Sequence, residues 1–287
     1  MNKVLLLDGF SLIFRAYYGS AYSGNILKNK DSVPINGVLT FHKMLFKYIN
    51  LHNPDYIFIA LDAGKKTFRH ELKEDYKAGR QKAPEELVVQ IPIIIEMIKE
   101  LGIGNQMIEG WEADDIIASF VNKKSIDNEI IVVSSDKDLH QVIRDNVKIS
   151  APKNGNNPDE IYDNDNYFSK VGILPNQVID YKGLVGDSSD NLPGVKGVGQ
   201  KTGIKLINDY NNLENLYDNI DKIESNSLKN KLNEDKEQAF LCKKLATLNF
   251  DLDIVDNFKK FDINTHPQSA IDFYYKYHLY SLIEKYS

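Results

Sequence analysis

The chain has 287 residues, of which 42% are apolar and 26% charged, and its formal net charge is −6. These values are ordinary for a globular protein with one large or two smaller domains, and they exclude a disordered or fibrous chain. The single cysteine, Cys242, excludes an internal disulfide and a zinc site built on cysteine pairs. No apolar stretch is long enough for a membrane span, and Asp8 interrupts the opening apolar run too early for a secretory signal. We therefore expect a cytoplasmic protein with no membrane partner.

Three apolar segments that we predict to be strands end in acidic residues. They are KVLLLD, ending at Asp8, YIFIALD, ending at Asp62, and EIIVVSSDKD, ending at Asp136 and Asp138. Short, uninterrupted apolar runs are typical of strands buried on both faces of a parallel sheet. Helical patterns lie between them, at residues 87–103 and from Ala113 onward. This alternation predicts an open α/β sheet.

The pattern changes near residue 168, where short helical segments with glycine and proline replace the strands. We predict an α/β domain at residues 1–168 and a helical subdomain at residues 169–287. Residues 152–166, which are rich in Asn and Asp, are predicted to form an exposed connection.

Nine acidic residues are candidates for one site, because ligands of such sheets collect at the carboxyl ends of the strands. Besides the four strand-end aspartates, they are Glu112, Asp114 and Asp115 in GWEADD, and Asp187 and Asp190 in GDSSDN. Each has a structural alternative, since acids favour the first turn of a helix and aspartates favour turns. Together, without lysine partners, they would repel one another by roughly several kcal/mol. We therefore predict two Mg²⁺ or Mn²⁺ ions, a pair suited to in-line phosphoryl displacement.

A basic segment follows the second predicted strand. It contains Lys65, Lys66, Arg69, Lys73, Lys77, Arg80 and Lys82 against Glu71, Glu74 and Asp75. A solvated charged helix would explain this composition, but its position after Asp62 predicts that the cations overhang the acidic edge. Of its aromatic residues, we interpret Phe68 as structural, and Tyr76 either as a packing residue or as a platform for an unpaired base.

The segment GVKGVGQKTGIK predicts a glycine turn between short helices. Its spacing is not that of a Walker motif, but such a turn would expose backbone N–H groups to a phosphate. The candidate DNA contacts here are Gly194, Lys196, Gly197, Gly199, Lys201 and Thr202, with Lys205 extending the positive surface.

With these motifs assembled, the chain resembles the 5′ nuclease family, which includes bacteriophage flap endonucleases and the 5′-3′ exonuclease domain of bacterial DNA polymerase I. The matching segments are LLLDGFSLIFRAYYG, FIALDAGKKTFRHELKEDYKAGR, EGWEADDIIASF, VVSSDKDLHQVI and GLVGDSSDNLPGVKGVGQKTGIKLI, in family order between residues 4 and 207. The resemblance implies a PIN-like core with a mostly parallel sheet, a helical arch at about residues 63–86, and a C-terminal helix-three-turn-helix of the SAM-like type.

The resemblance also implies roles for individual residues. Asp8, Asp62, Glu112 and Asp114 would hold one metal ion with Asp115 nearby, and Asp136, Asp138, Asp187 and Asp190 a second. Lys77, Arg80 and Arg15 would contact the phosphate, Tyr76 would stack on a base, and Arg69 belongs to the candidate DNA contacts. A K⁺ ion at the glycine turn and a monomeric state are further implications.

We therefore expect a divalent-metal-dependent, structure-specific 5′-3′ exonuclease or flap endonuclease that hydrolyses DNA near 5′ ends and branch points in replication or repair, in a freestanding form. One alternative is a module that binds DNA junctions without cutting, which would predict a damaged acidic set. Another is a phosphatase with Asp8 as nucleophile, which usually needs an aspartate where Phe10 stands. The sequence leaves open whether a flap, a gap, a nick or the RNA of an RNA/DNA hybrid is preferred, and how exonuclease and endonuclease activities are balanced.

Overall fold

A six-stranded sheet forms the centre of the computed structural model, which describes residues 1–22, 24, 26–64, 66–153, 157–255, 261 and 267–283. Its strands are β1 (Asn2–Asp8), β2 (Tyr56–Leu61), β3 (Gly104–Met107), β4 (Asn128–Val133), β5 (Val147–Ala151) and β6 (Glu160–Tyr162). The spatial order is β3-β2-β1-β4-β5-β6, and only β6 pairs antiparallel. The predicted, mostly parallel α/β sheet is confirmed.

Helices cover both faces of the sheet and form the C-terminal part of the chain. They are α1 (Gly9–Ala21), α2 (Asn36–His52), α3 (Phe68–Leu72), α4 (Glu85–Glu100), α5 (Ala113–Lys124), α6 (Tyr167–Val171), α7 (Val178–Val185), α8 (Gln200–Tyr210), α9 (Leu213–Asp218), α10 (Asn226–Glu234), α11 (Lys236–Ala246), α12 (Gln268–Lys276) and α13 (Tyr280–Ile283). The predicted helices at 87–103 and from Ala113 are confirmed as α4 and α5. Within the described ranges, no helix combines the length and the apolar character that a membrane span needs.

Two apolar cores lie on opposite faces of the sheet. One joins α1, α2, α4 and α12, with Leu45, Ile94 and Phe273 buried together. The other joins α5 to the C-terminal helices, with Phe120 and Ile207 in the same cluster. The helical part of the chain is therefore not separated from the sheet by solvent.

The strand order determines where a ligand can bind. Strand β1 pairs in parallel with β2 on one side and with β4 on the other. The connection after β1 runs to β2 and the connection after β4 runs to β5, in opposite directions along the sheet. A crevice forms outside the carboxyl ends of the strands at such a point. Asp8 lies at the end of β1, in register with Ala60 of β2.

Three expectations about the fold need correction. Strands β3, β5 and β6 were not predicted, and β6 lies within the expected connection at 152–166. The basic segment is not one helix, because α3 spans only five residues and turns follow at 74–79, with Lys77 at a φ of 58°. Helices α12 and α13 pack with the N-terminal core, so the described helices after residue 169 do not all belong to one unit.

Candidate active site

A cleft of about 720 Å³ opens at the carboxyl edge of the sheet. It is lined by Asp8, Phe10, Ser11, Phe14, Tyr18, Asp62, Ala63, Gly64, Thr67, Lys77, Arg80, Gln81, Trp111, Glu112, Asp114, Ser135, Asp136 and Ser189. The cleft thus brings together the strand-end acids Asp8, Asp62 and Asp136 with the helix-start acids Glu112 and Asp114. Of the seven cations of the basic segment, Lys77 and Arg80 line it.

Three of these acids accept hydrogen bonds from uncharged groups. Asp8 accepts from the backbone N–H of Ser11 at 3.0 Å and from the hydroxyl of Ser134 at 2.7 Å. Asp62 accepts from the N–H of Ala113 at 2.9 Å, and Asp136 accepts from the N–H of Asp138 at 2.8 Å. These bonds orient the carboxylates but do not cancel their charge.

The electrostatics of the cleft reflect this uncancelled charge. Burial raises the pKa of Asp8 to about 7, and repulsion from Asp62 and Asp136 adds to the effect. Burial likewise raises the pKa of Asp62 and of Asp136. For Asp114, burial and the charges of Asp136 and Asp8 raise the pKa well above its usual value. We call Asp8, Asp62, Asp114 and Asp136 the uncompensated acids.

The remaining acids of the site have cationic partners. Lys77 donates to Glu112 at 2.8 Å, and Arg80 donates to Asp190 at 3.0 Å. On α7, the buried Lys182 contacts Asp138 and donates to Asp187 at 2.6 Å. The expectation that the acids meet without basic partners is therefore wrong for this half of the site.

Lys182 is a site residue that the sequence interpretation missed. It lies among buried residues of a short helix, five positions before Asp187, and only 6% of its surface is exposed. Although burial opposes it, the charge of Lys182 lowers the pKa of Asp187 to about 2. The available signal was a lysine five and eight positions before two aspartates of the predicted site.

Arg69 and Asp115 are buried inside the protein, 1% and 0% exposed. The guanidinium donates to both oxygens of Asp115, at 2.7 and 2.8 Å, and to Glu112 at 3.2 Å. It also donates to the carbonyl of Leu245 at 2.8 Å, while the N–H of Asn249 donates to Asp115. The expectations of a DNA contact at Arg69 and of a metal contact at Asp115 are corrected accordingly, because this pair joins α3 and α5 to the chain after α11.

Tyr76 is also buried, at 3% exposure. Its hydroxyl donates to Asp190 at 3.0 Å and lies 3.3 Å from Glu112. Its ring would have to leave this position to stack on a base, so that role stays a prediction.

Arg15 does not belong to the cleft lining. It lies near Tyr48, where burial raises the pKa of the tyrosine and the charge of Arg15 lowers it by a smaller amount. Lys65 of the basic segment lies outside the described residues.

The loop that carries Asp187 and Asp190 is closed by two glycines. Gly186 and Gly194 have φ of 76° and 64°, and a Cβ on Gly194 would lie 2.4 Å from the nitrogen of Gly186. Asp187 and Leu192 exchange backbone hydrogen bonds of 2.7 Å across the loop. Only glycine fits this close approach of two chain segments.

The glycine turn precedes α8 and lies outside the cleft lining. Val195 and Val198 are buried and anchor it. The N–H of Lys196 donates to Asp235 at 2.8 Å, so this donor already has a partner. Gly197 has a φ of 78°, and Gly199 is the N-cap of α8. Lys201 is exposed and Thr202 half-buried on the first turn of that helix.

The acids suit a divalent cation by their chemistry. Carboxylate oxygens are the ligands that Mg²⁺ and Mn²⁺ prefer, and the uncompensated acids hold negative charge that a cation would stabilise. Among the described residues, no three His, Cys, Asp or Glu side chains meet at one point as a ready-made metal site. Five carboxylates line the cleft instead, at Asp8, Asp62, Glu112, Asp114 and Asp136. Asp138, Asp187 and Asp190 lie outside this lining and pair with Lys182 or Arg80.

An α/β sheet with clustered carboxylates and flanking cations at its carboxyl edge is the arrangement of an enzyme for metal-assisted phosphoryl chemistry. Comparison with known families agrees. Residues 3–172 match the model of the 5′-3′ exonuclease N-terminal resolvase-like domain, and residues 173–269 match the 5′-3′ exonuclease C-terminal SAM fold. The chain belongs to the 5′-3′ exonuclease family, a family of nucleases.

Similar proteins include both short and long relatives. The chain is 39% identical over 219 residues to a 5′-3′ exonuclease of Bacillus subtilis (strain 168), a match that covers 76% of this chain and 74% of the relative. It is 40% identical over 251 residues to DNA polymerase I of Lactococcus lactis subsp. cremoris (strain MG1363), covering 86% of this chain. That match spans only 29% of the polymerase.

Solved structures of low sequence identity share the fold, including the helical C-terminal part. A zinc-bound T5 5′-exonuclease has a TM-score of 0.71 at 21% identity, with 85% of this chain and 89% of the neighbour covered. The bacteriophage T5 flap endonuclease, in a complex with DNA and metal ions, has a TM-score of 0.72 at 20% identity, with 94% and 97% covered. The expected α/β core with a C-terminal SAM-like fold is confirmed.

Proposed function

We propose that the cleft is the catalytic site of a divalent-metal-dependent nuclease that hydrolyses DNA near 5′ ends and branch points. The observation that carries this proposal is the set of uncompensated acids at the carboxyl edge of the sheet, with Lys77 and Arg80 beside them. Cations would stabilise such a set at neutral pH, and cationic side chains beside it can bind the phosphate of the substrate.

In this proposal two Mg²⁺ or Mn²⁺ ions bind to two sets of acids. Asp8, Asp62, Glu112 and Asp114 would hold one ion, and Asp136, Asp138, Asp187 and Asp190 would hold the second. When bound, such a pair would supply an activated water and charge stabilisation for an in-line phosphoryl displacement. The second set is available only when Lys182 and Arg80 release the carboxylates that they hold.

Lys77 and Arg80 bind and orient the scissile phosphate. Both now pair with site acids, at Glu112 and Asp190. A phosphate that enters the cleft offers these cations an alternative partner, and it leaves the acids free for metal ions. Substrate and metal binding would therefore favour each other, and each would be weak alone.

The glycine turn and the start of α8 are proposed to hold the duplex at a distance from the cleft. Lys201 and Thr202 are accessible there, and the side chain of Lys196 is exposed. The proposal includes a K⁺ ion at this turn and a phosphate contact of Arg15. It also includes the RNA strand of an RNA/DNA hybrid as a second substrate. The protein is proposed to be monomeric and cytoplasmic.

A labelled 5′-flap substrate tests the proposal. We expect fragments released from the 5′ end with Mg²⁺ or Mn²⁺ and none with chelator. Asp138→Ala should lower the rate more than about 100-fold, because loss of groups that merely orient a metal ligand already costs 10–100-fold. Glu234→Ala on α10, which lies outside the cleft lining, is the control. Cleavage in chelator, or undiminished cleavage by Asp138→Ala, would overturn the metal scheme, and tight flap binding without any product would favour the junction-binding alternative.

A further inference from the structure

Two segments that are distant in the chain meet beside the cleft. Residues 73–80, which we call the arch base, carry Lys77 and Arg80, and residues 186–194, which we call the acid loop, carry two of the acids assigned to the second ion. The backbone N–H of Lys77 donates to the carbonyl of Asp190 at 3.2 Å. Because the two segments are neighbours only in space, the contacts between them determine where the cations of the arch base lie relative to the acids.

Several side chains of the arch base bind to carboxylates of the site. The hydroxyl of Tyr76 and the guanidinium of Arg80 each donate to Asp190 at 3.0 Å. The ammonium of Lys77 donates to Glu112 at 2.8 Å. In the proposed function both of these carboxylates bind metal ions, for which carboxylate oxygens are favoured ligands. An arriving ion therefore competes with these contacts of the arch base.

Asn191 joins the two segments without using a carboxylate of the site. Its amide donates to the backbone carbonyl of Asp75 at 2.8 Å and to the carboxylate of the same residue at 2.9 Å. Asp75 is exposed, lies outside the cleft lining and is not among the acids assigned to an ion. Metal ions in the cleft would therefore leave these two hydrogen bonds in place, whereas they would draw Asp190 and Glu112 away from the arch base.

Asn191 also has an uncommon backbone conformation, with a φ of 57°. A positive φ is uncommon for residues other than glycine, although asparagine tolerates it better than most. Glycine would serve the backbone of the acid loop equally well, as it does at Gly186 and Gly194. Glycine has no amide side chain to offer the arch base, however. Closure of the loop therefore does not explain the asparagine, whereas its hydrogen bonds to Asp75 do.

We propose that Asn191 is a positioning residue that keeps the arch base attached to the acid loop when metal ions occupy the site. This role rests on the proposed function and adds to it how the cations that bind the phosphate stay beside the acids. Once ions have taken over the carboxylates, Lys77 and Arg80 lose the partners that fix them in the metal-free protein. The hydrogen bonds of Asn191 then hold the segment that carries both cations, and small displacements of such groups already slow a reaction strongly.

Limited proteolysis of Asn191→Gly tests this role. The substitution removes the amide and keeps the loop, because glycine adopts a positive φ readily. Trypsin cuts after lysine and arginine, so its rate of cutting after the exposed Arg80 and Lys82 reports detachment of the arch base. In chelator the variant should be cut about as fast as the wild type, because the carboxylates still hold the segment. In Mg²⁺ the variant should be cut roughly tenfold faster than the wild type, the effect expected from the loss of two hydrogen bonds.

Asn53→Gly is the matched control, because Asn53 also has a positive φ, of 44°, and is exposed at the end of α2, outside the cleft lining. It should be cut like the wild type in both conditions. A substitution of the partner provides an independent readout. Asp75→Ala removes one of the two acceptors of Asn191, so it should give a smaller increase in Mg²⁺ and should add little to Asn191→Gly. Equal cutting of Asn191→Gly in chelator and in Mg²⁺, or additive increases from the two substitutions, would overturn the inference.

Separate experiments test the role of Asn191 and the proposed function. Wild-type protein that does not cleave a 5′ flap in Mg²⁺ would contradict the proposed function. Trypsin still reports on the arch base in that case, because its cutting requires no DNA. Wild-type protein that cleaves the flap, while trypsin cuts Asn191→Gly like Asn53→Gly in both conditions, would contradict the role of Asn191 alone.

Discussion

At the scale of single residues, the acids of the site form two groups that differ in electrostatic environment: one lacks directly bonded cationic partners among the described residues, and the other has them. The uncompensated acids have raised pKa values because burial and mutual repulsion act on them together. Asp187 has a lowered pKa because Lys182 lies beside it. An incoming cation therefore stabilises the first group directly, whereas in the second group it must compete with an ammonium or a guanidinium.

This division predicts how one substitution affects stability. A carboxyl whose pKa is raised on folding binds its proton more tightly in the folded state, so the free energy of unfolding falls as pH rises above about 4. The Asp114 carboxyl is such a group. Asp114→Asn should therefore stabilise the metal-free protein at pH 7.5 by an amount on the order of 1 kcal/mol, because it removes a like-charge repulsion. At pH 5 the gain should be smaller, because more of the wild-type carboxyl is protonated.

Thermal unfolding at both pH values measures this effect, with a shift of roughly 2–4 °C per kcal/mol for a chain of this size. Addition of Mg²⁺ should raise the melting temperature of the wild type more than that of Asp114→Asn. Asp251→Asn, an exposed acid outside the cleft lining, should change neither value. A variant that is less stable than the wild type at pH 7.5 would contradict the assignment of Asp114 to the uncompensated acids.

At the scale of elements, the loop between Gly186 and Gly194 positions two of the acids. Gly194→Ala would place a methyl group against the backbone of Gly186 and Val185 at a positive φ. We expect a loss of stability of about 1–3 kcal/mol, the usual cost of a strained backbone position, and a loss of cleavage because Asp187 and Asp190 shift. Gly19→Ala on α1, where a Cβ meets no atom within 4 Å, is the matched control and should be neutral or stabilising. Urea unfolding measures both, and equal stabilities of the two variants would contradict the close approach.

The elements also show what local sequence can predict. Strands β1, β2 and β4 were predictable because each is a continuous apolar run buried on both faces. Strand β3, with the sequence GNQM, is short and mostly polar, and only its pairing with β2 makes it a strand. The basic segment has helical composition, yet Lys77 has a positive φ and pairs with Glu112 from a distant part of the chain.

The same contrast applies to the site. Its acids were predictable because strand ends and a helix start must meet at one sheet edge, whatever the details of packing. Their cationic partners were not, since Lys182 reaches Asp138 only through the packing of α7 beside the sheet. The burial of Arg69 is likewise a tertiary effect, because its hydrogen bonds to Leu245 and Thr247 join segments 176 and 178 residues apart.

At the scale of the whole molecule, segments that are distant in the chain pack on both faces of the sheet. Helix α12 packs against α2 and α4, where the ring of Tyr274 meets His42 and the side chain of Lys276 pairs with Glu96. Helices α7 to α11 share the other core with α5. This continuity holds α7, and with it Lys182, Asp187 and Asp190, in a fixed position relative to the strand ends.

The charge of the whole molecule leads to a last prediction. The chain carries a net charge of −6, so its affinity for DNA must come from local cations. Each phosphate that these cations neutralise contributes about 0.9 to the slope of log K, where K is the binding constant, against log[salt]. In chelator, Lys77 and Arg80 are engaged with Glu112 and Asp190, and replacing both by Met should change the slope for flap binding little. With Ca²⁺ supplied to occupy the acids, the same double variant should lose roughly two units of slope relative to the wild type. Lys276→Met on α12 is the control and should leave the slope unchanged in both conditions. Titration of a labelled flap at several salt concentrations measures all three proteins, and equal slopes for the wild type and the double variant in Ca²⁺ would remove these two residues from the phosphate contacts.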